Sequence, residues 1–302
     1  MISLLALAAA AAAQPPKTVL TIDPKHRVVE GVASDGKTIW VSSILDRQVL
    51  ACQATCRTLA TLPEPLHPFA IAWDALRDRL WVAADCPPGV PAIKACDRGA
   101  LLALDRQGRI QTRIGPYVGE FHPGDVSASR GQVFVSDSQN GMVFRLTKNE
   151  RGIMAVVLPD TGKSAQGTAL SANGSQLVVA DYSQGIGVTG IDTFKRTLLP
   201  RQDGKPLRGI DGLVRCGSTY YGIYNGAAPG RLIAFTLGDG KIAIDEPLPG
   251  LSLPDPTQIA FDGDRLLIVA DSGWATLDKA DFKRTSGTPI LAVPLSSNCQ
   301  PN

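Results

Sequence analysis

Apolar and polar positions alternate along most of this chain with a period of two, the mark of half-buried β-strands. The clearest instance is residues 164–181, SAQGTALSANGSQLVVAD. Alternation predicts a short strand over 167–170 and a second over 176–180. Between them Ala172-Asn173-Gly174-Ser175 forms the turn, because Asn-Gly supplies the positive φ that a tight hairpin needs. The same hairpin is written six times: EGVASDGKTIWVSS from Glu30, FAIAWDALRDRLWVAAD from Phe69, GDVSASRGQVFVSDS from Gly124, the copy just described, DGLVRCGSTYYGIYN from Asp211 and TQIAFDGDRLLIVADS from Thr257. One hairpin cannot bury a face alone, so a repeated hairpin implies stacked neighbours.

Aligning the second strands brings Trp40, Trp81, Phe134, Val178, Tyr221 and Ile268 into one column, with spacings of 41, 53, 44, 43 and 47 residues. A period of this size accommodates four antiparallel strands per unit, whereas helical repeats would show a period of 3.6 inside each unit. The pattern therefore predicts an all-β six-bladed β-propeller with four-stranded antiparallel blades, forming a single domain over residues 18–299. Residues 18–22 (TVLTI) are strand-like and precede the first copy. They are expected to pair with the last blade, closing the ring and removing its open edges.

The start of the chain breaks the alternation. Residues 2–13 are an unbroken apolar, Ala-rich run that ends in Ala11-Ala12-Ala13, with no Lys or Arg before it. The run is too short to span a bilayer but has the length and small-residue end of a secretory signal, so residues 1–13 are read as a signal peptide. The mature chain is then expected to be periplasmic or secreted, and no other stretch is apolar enough for a transmembrane span.

Composition narrows the class. With 302 residues, 30 Gly, 22 Pro, 19% charged residues and a formal charge of +2, the chain reads as a turn-rich globule with a sizeable core. Lys and Arg are scattered and the aromatics fall at inner repeat positions, so no nucleic acid partner is expected. The six cysteines are an even number in a chain expected to leave the cytosol. Cys52 and Cys56 flank a three-residue turn, Cys86 and Cys96 bracket the insertion CPPGVPAIKAC, and Cys216 is left to pair with Cys299. A zinc site is disfavoured, since there is no CxxC spacing with a nearby His.

Two motifs have plain structural readings. Gly185-Ile186-Gly187-Val188-Thr189-Gly190 matches GxGxxG, but no helix or βαβ unit follows, so its glycines are read as strand and turn residues. An Asp closes the second strand in four copies (Asp85, Asp137, Asp181 and Asp271) and is read as a turn cap.

Function is then to be sought where the copies differ, at the start of the first strand. In a propeller this strand is innermost and lines the central channel. The residues aligned there are Glu30, Phe69, Gly124, Gln166, Asp211 and Thr257. Two carboxylates and a carboxamide converging on one axis call for a compensating cation or proton, and an all-oxygen set suits Ca²⁺.

Glu30-Gly31, Gln166-Gly167 and Ile210-Asp211-Gly212, set in a six-copy ring, resemble the senescence marker protein/gluconolactonase family of six-bladed propellers. The resemblance implies a divalent metal held in the channel by Glu30, Gln166 and Asp211, with Asp211 also handling the proton in lactone or phosphoester hydrolysis. Gln166 stands where that family has Asn. The family's Phe-Asn-Asp-Gly motif reads Phe121-His122-Pro123-Gly124-Asp125 here, so its fourth ligand is lost or replaced by His122 or Asp125. His67-Pro68 and His122-Pro123 occupy similar places just before the innermost strands of two copies, where an imidazole can serve as base or ligand at the channel mouth, with Glu120 beside His122.

Two functions follow as expectations. One is an exported, metal-dependent hydrolase of a lactone or similar ester, with Asp211 and His122 catalytic, Glu120 and His67 on the small-molecule substrate, and Glu30, Gln166, Asp211 and Asp125 around the metal. The other is a non-catalytic propeller that binds a small molecule, sugar or protein partner.

Overall fold

The computed structural model describes residues 15–115, 119–149, 152–158, 162–246, 248, 250–277 and 284–295. Six antiparallel four-stranded sheets follow one another around a ring. Blade 1 is β2 (Val29–Ser34), β3 (Ile39–Ser43), β4 (Gln48–Cys52) and β5 (Cys56–Thr61). Blade 2 is β6 (His67–Asp74), β7 (Arg79–Asp85), β8 (Ala100–Leu104) and β9 (Ile110–Ile114). Blade 3 is β10 (Pro123–Ser129), β11 (Gln132–Asp137), β12 (Val143–Asn149) and β13 (Gly152–Leu158), and blade 4 is β14 (Ala165–Leu170), β15 (Gln176–Asp181), β16 (Gly185–Gly190) and β17 (Arg196–Leu198). Blade 5 is β18 (Ile210–Cys216), β19 (Thr219–Tyr224), β20 (Arg231–Gly238) and β21 (Lys241–Asp245). Blade 6 is β22 (Ile259–Asp262), β23 (Arg265–Val269) and β24 (Thr288–Pro294), and its outermost strand is β1 (Lys17–Ile22), the first in the chain.

The expected ring closure is therefore present, with Thr18 opposite Leu291 and Ile22 opposite Thr288. It gives the outer edge of β24 a hydrogen-bonded partner and ties the two ends of the ring together. Among the described residues the only helix is a single 3₁₀ turn, Trp274–Thr276, and no helix is long and apolar enough to cross a membrane.

Alternation explains why the blades stack. The aligned column of the second strands is buried almost throughout: Trp40, Trp81, Phe134, Val178 and Ile268 are each 2% exposed or less. These side chains fill the space between neighbouring sheets, as in the Trp40–Trp73 stack between blades 1 and 2, with ring centroids 4.7 Å apart. Gly185–Gly190 is the third strand of blade 4, in keeping with the structural reading of its glycines.

Cys52–Cys56 and Cys86–Cys96 are disulfides, the first clipping the β4–β5 turn and the second closing the insertion of blade 2. Cys216 is also disulfide-bonded. The partner expected for it, Cys299, lies outside the described residues, as do residues 1–13.

Candidate active site on the channel axis

The channel chemistry starts from a repeated backbone irregularity. In five blades the pairing of the innermost strand with its neighbour shifts register near its start, between Val29 and Val32, Pro68 and Ile71, Pro123 and Asp125, Ala165 and Thr168, and Ile210 and Leu213. A bulge re-aims the side chain it carries. In blades 1, 4 and 5 the bulge is an acid or amide followed by glycine: Glu30-Gly31, Gln166-Gly167 and Asp211-Gly212. The glycine is dictated by the next blade. A Cβ on Gly167 would lie 2.5 Å from the Asp211 carbonyl oxygen and 2.5 Å from the Leu213 nitrogen, and one on Gly31 would lie 2.7 Å from the Phe69 carbonyl oxygen. The bulges of blades 1 and 4 thus seat against those of blades 2 and 5, and the axial side chain is turned inward by the same device that packs the ring.

Alternate blades contribute carboxyl groups to the axis: Glu30 from blade 1, Asp125 from blade 3 and Asp211 from blade 5. Glu30 and Asp125 are buried, Asp211 partly so. Glu30 accepts a hydrogen bond from the Trp274 indole N–H at Oε2, while its backbone carbonyl accepts one from Thr257 Oγ1 at 2.9 Å. Asp211 Oδ2 accepts from Asn225 Nδ2 at 2.9 Å, and that same amide nitrogen donates to the Pro256 carbonyl at 3.0 Å. Asp125 accepts from its neighbour's backbone, Val126 N–H, at 2.5 Å, and from Gln258 Nε2 at 3.1 Å. Blade 6 lies opposite blade 3, so the Asp125–Gln258 bond crosses the channel.

None of these hydrogen-bond donors is a cation, and the electrostatics follow from that. Burial, then the charge of Asp211, pushes the Glu30 carboxyl well above its ordinary pKa, against the pull of the Trp274 hydrogen bond. Burial pushes Asp125 up to about 6 despite Gln258 and Val126. Burial, then Asp125, pushes Asp211 up to about 7. Taking several carboxylates out of water together is costly unless a cation or protons compensate them.

A fourth carboxylate, Asp255, adds to the repulsion felt by Glu30 and Asp211. It accepts from Ser272 Oγ at 2.8 Å, Gly273 N–H at 2.9 Å and Ala275 N–H at 3.2 Å, and so holds the 3₁₀ turn that presents Trp274 to Glu30. Trp274 also packs near Phe69, centroids 6.2 Å apart, giving the upper mouth an aromatic side. Tyr182 lies close enough to Asp211 for that charge to add to burial in raising its pKa, so its phenol keeps its proton at neutral pH.

Among the described residues no three His, Cys, Asp or Glu side chains are grouped as a metal ion would require. A cation here would need amide oxygens as well as carboxylates, and one is present: Asn225 Oδ1 is buried without a hydrogen-bond partner while its own nitrogen holds Asp211. Gln166 is partly buried, with Oε1 3.5 Å from where a Cβ on Gly124 would stand. The oxygens of Glu30, Asp211 and Asn225, uncompensated in charge, have the donor chemistry a hard divalent cation takes.

The other expected site residues lie elsewhere. His122 is buried, with Nδ1 3.2 Å from Asp85 Oδ1, and its backbone N–H donates to Asp137 Oδ2 at 3.1 Å. Burial holds Asp85 at about 6 although the Cys86 N–H and His122 pull it down. His122 and Glu120 line a cavity of about 230 Å³ with Asp97, Gln139 and Asn140, and none of the axial carboxylates lines it. His67 is buried with Nδ1 2.8 Å from the Ile44 carbonyl oxygen, and burial lowers its pKa. The Asp at the end of the second strand caps the following turn in blades 3 and 4: Asp137 accepts from Gln139 and Asn140 N–H, and Asp181 from Ser183 and Gln184 N–H.

No family model matches the chain, and no curated protein matches it in sequence. Solved structures are similar to it. A gluconolactonase from Xanthomonas campestris matches 94% of this chain and 96% of its own with a TM-score of 0.62 at 18% identity. A calcium-binding protein, regucalcin, from Agrobacterium tumefaciens matches 94% and 97% with a TM-score of 0.62 at 16% identity. A luciferin-regenerating enzyme matches 95% and 98% with a TM-score of 0.63 at 14% identity. At these identities the likeness shows the fold: a six-bladed propeller of the architecture that gluconolactonase and regucalcin share.

Proposed function

We propose that the protein is an exported hydrolase of lactones or similar esters, working at the upper end of its channel. The observation that carries this reading is the convergence of Glu30, Asp125 and Asp211 from alternate blades onto one axis without a cationic partner. Two of the similar structures, a gluconolactonase and a calcium-binding regucalcin, support the choice of chemistry.

Asp211 is the general base. With Oδ2 held by Asn225, its other oxygen takes a proton from water, the resulting hydroxide adds to the lactone carbonyl, and the ring C–O bond breaks as the proton passes to the departing alkoxide, giving a hydroxy acid. The nearby Tyr182 phenol is a neutral donor for the substrate, and the Phe69–Trp274 side of the mouth offers an apolar wall. A divalent cation, Ca²⁺ by the chemistry of its donors, would be held by oxygens of Glu30, Asp211 and Gln166, with Asn225 and Asp125 beside them, and would polarise the carbonyl as a Lewis acid. Trp274 and Asn225 keep the Glu30 and Asp211 carboxyl groups oriented before substrate arrives.

Export rests on residues 1–13 and on the disulfides Cys52–Cys56 and Cys86–Cys96, which belong in an oxidising compartment. N-terminal sequencing of the protein from its native host is expected to begin just after Ala13.

The decisive assay is a panel of aldono- and γ-lactones with Ca²⁺, Mg²⁺, Mn²⁺, Zn²⁺ or chelator. Turnover that needs a metal and disappears in Asp211→Asn supports the hydrolase. No turnover with any metal, and no metal bound by calorimetry, would leave the non-catalytic binding propeller, a reading favoured by the Asp125–Gln258 bond that already spans the axis.

A further inference from the structure

The innermost strands end at the opposite, lower mouth, and their second halves enclose a different environment. A cavity of about 550 Å³ opens there, lined by Val32, Ile71, Val126, Leu213, Ile259 and Phe261 among others. Its inner end is the Asp125–Gln258 pair. A smaller cavity of about 100 Å³ adjoins it and shares Ser127, Ala128, Leu213, Val214 and Phe261. The volume is that of a small-molecule site.

The charges at this mouth are sorted. The acids at the strand ends each have an arginine: Asp74 with Arg77 at 2.7 Å and Asp262 with Arg265 at 2.5 Å, while the next turn's Asp35 pairs with Arg106 at 2.6 Å. Arg106 also holds Asp78 at 2.9 Å, and two of the arginines that line the cavities have no acid among the described residues. Arg130 lines the larger cavity and Arg215 the smaller. Arg215 donates to the backbone carbonyls of Leu170 and Gly217, and among the described residues neither guanidinium pairs with a carboxylate. Burial, then Arg130, also acts to lower the pKa of Arg215, with Tyr220 pulling the other way, so the two cations share one neighbourhood.

We propose that the lower mouth is a second ligand site, for a monocarboxylate with an extended apolar body, its head at Arg130 and Arg215 and its chain inside the cavity. Asp125 to Ser129 spans about 13 Å of strand, which matches an extended chain of about ten carbons. The apolar walls take the chain, and two otherwise uncompensated guanidinium groups favour an anionic head over a cationic or neutral one. The site is independent of the hydrolase reading.

The probe is sodium decanoate, titrated into the full chain by calorimetry, with hexanoate, palmitate and decylamine alongside. One saturable decanoate site, tighter than for hexanoate or decylamine, is expected. Arg130→Glu, at an exposed position, should weaken decanoate by at least about fivefold, and Ala128→Trp, which fills the cavity, should abolish binding. If Ala128→Trp does not fold, the chain-length series and Arg130→Glu decide the matter. Absence of saturable decanoate binding, equal or tighter binding of decylamine, or decanoate binding undiminished in Arg130→Glu would each overturn the proposal.

Discussion

The two ends of the channel are built from the same six innermost strands and differ in nearly every chemical respect. At the upper end, bulged strand starts turn acids and amides inward, and the charges are left without cations. At the lower end the same strands run in regular register, their side chains are mostly apolar, and the acids are matched to arginines. A one-residue register shift in five of the six strands thus separates an acid-lined mouth from an apolar one. The Asp125–Gln258 bond is where they meet.

The strongest way to break this contrast is to remove the charge that defines the upper end. Asp211→Asn keeps the shape and an oxygen while deleting the base, and lactone turnover is expected to fall by about a thousandfold in kcat/KM, read from initial rates. The same variant should fold normally by circular dichroism. Activity that survives it would show that the proton is handled elsewhere.

Next comes pH. The folded-state pKa values of Asp211 and Asp125 lie above the ordinary 3.8, so between about pH 4 and 7 the native metal-free protein binds more protons than the unfolded chain. Its stability is therefore fullest at acid pH and is lost, by on the order of a few kcal/mol for the coupled acids together, as pH rises through the folded values. Urea unfolding in chelator at pH 5 and pH 8 should show the drop, and Ca²⁺ should restore stability at pH 8. In Asp211→Asn the slope should shrink.

A smaller effect tests the packing that aims the acids. Gly167→Ala would drive a methyl into the Asp211 carbonyl and the Leu213 nitrogen, and a loss of about 2 kcal/mol is expected in urea unfolding. A neutral outcome would mean that the bulges do not seat on one another as described. Smallest is Trp274→Phe, which removes the hydrogen bond to Glu30 and should weaken Ca²⁺ binding about tenfold by calorimetry. Decanoate affinity at the lower mouth should stay where it was, and a parallel loss there would erase the distinction between the ends.

Much of the architecture was legible in the alternation. The six hairpins, the Trp40-to-Ile268 column and the closing strand all lie where the sequence pattern puts them, because each depends on local burial and turn chemistry. The bulges were not legible, since a register shift is fixed by the neighbouring blade, and in two copies the axial position lies one residue beyond the aligned one. Alignment pointed to Gly124 and Thr257, whereas Asp125 and Gln258 meet across the channel and Thr257 instead holds the Glu30 carbonyl. Trp274, Asp255 and Asn225 had no local signal either. They act on Glu30 and Asp211 through tertiary contacts, although a Trp just beyond the last hairpin and an Asn just after the second strand of blade 5 were visible as departures from the repeat. His122 followed the repeat in position, but its pairing with Asp85 depends on the neighbouring blade.

The closing strand also sets a clock. Glu30 leaves the ribosome early, while its partners Thr257 and Trp274 follow 227 and 244 residues later, and blade 6 is incomplete until β24 meets β1. Contacts of such sequence separation form slowly. During synthesis or refolding the carboxylate waits in a partly built ring, and its hydrogen-bonded setting arrives with the last blade. The upper mouth is therefore a late product of folding, and the return of the proposed lactone turnover after denaturation would time the moment the circle closes.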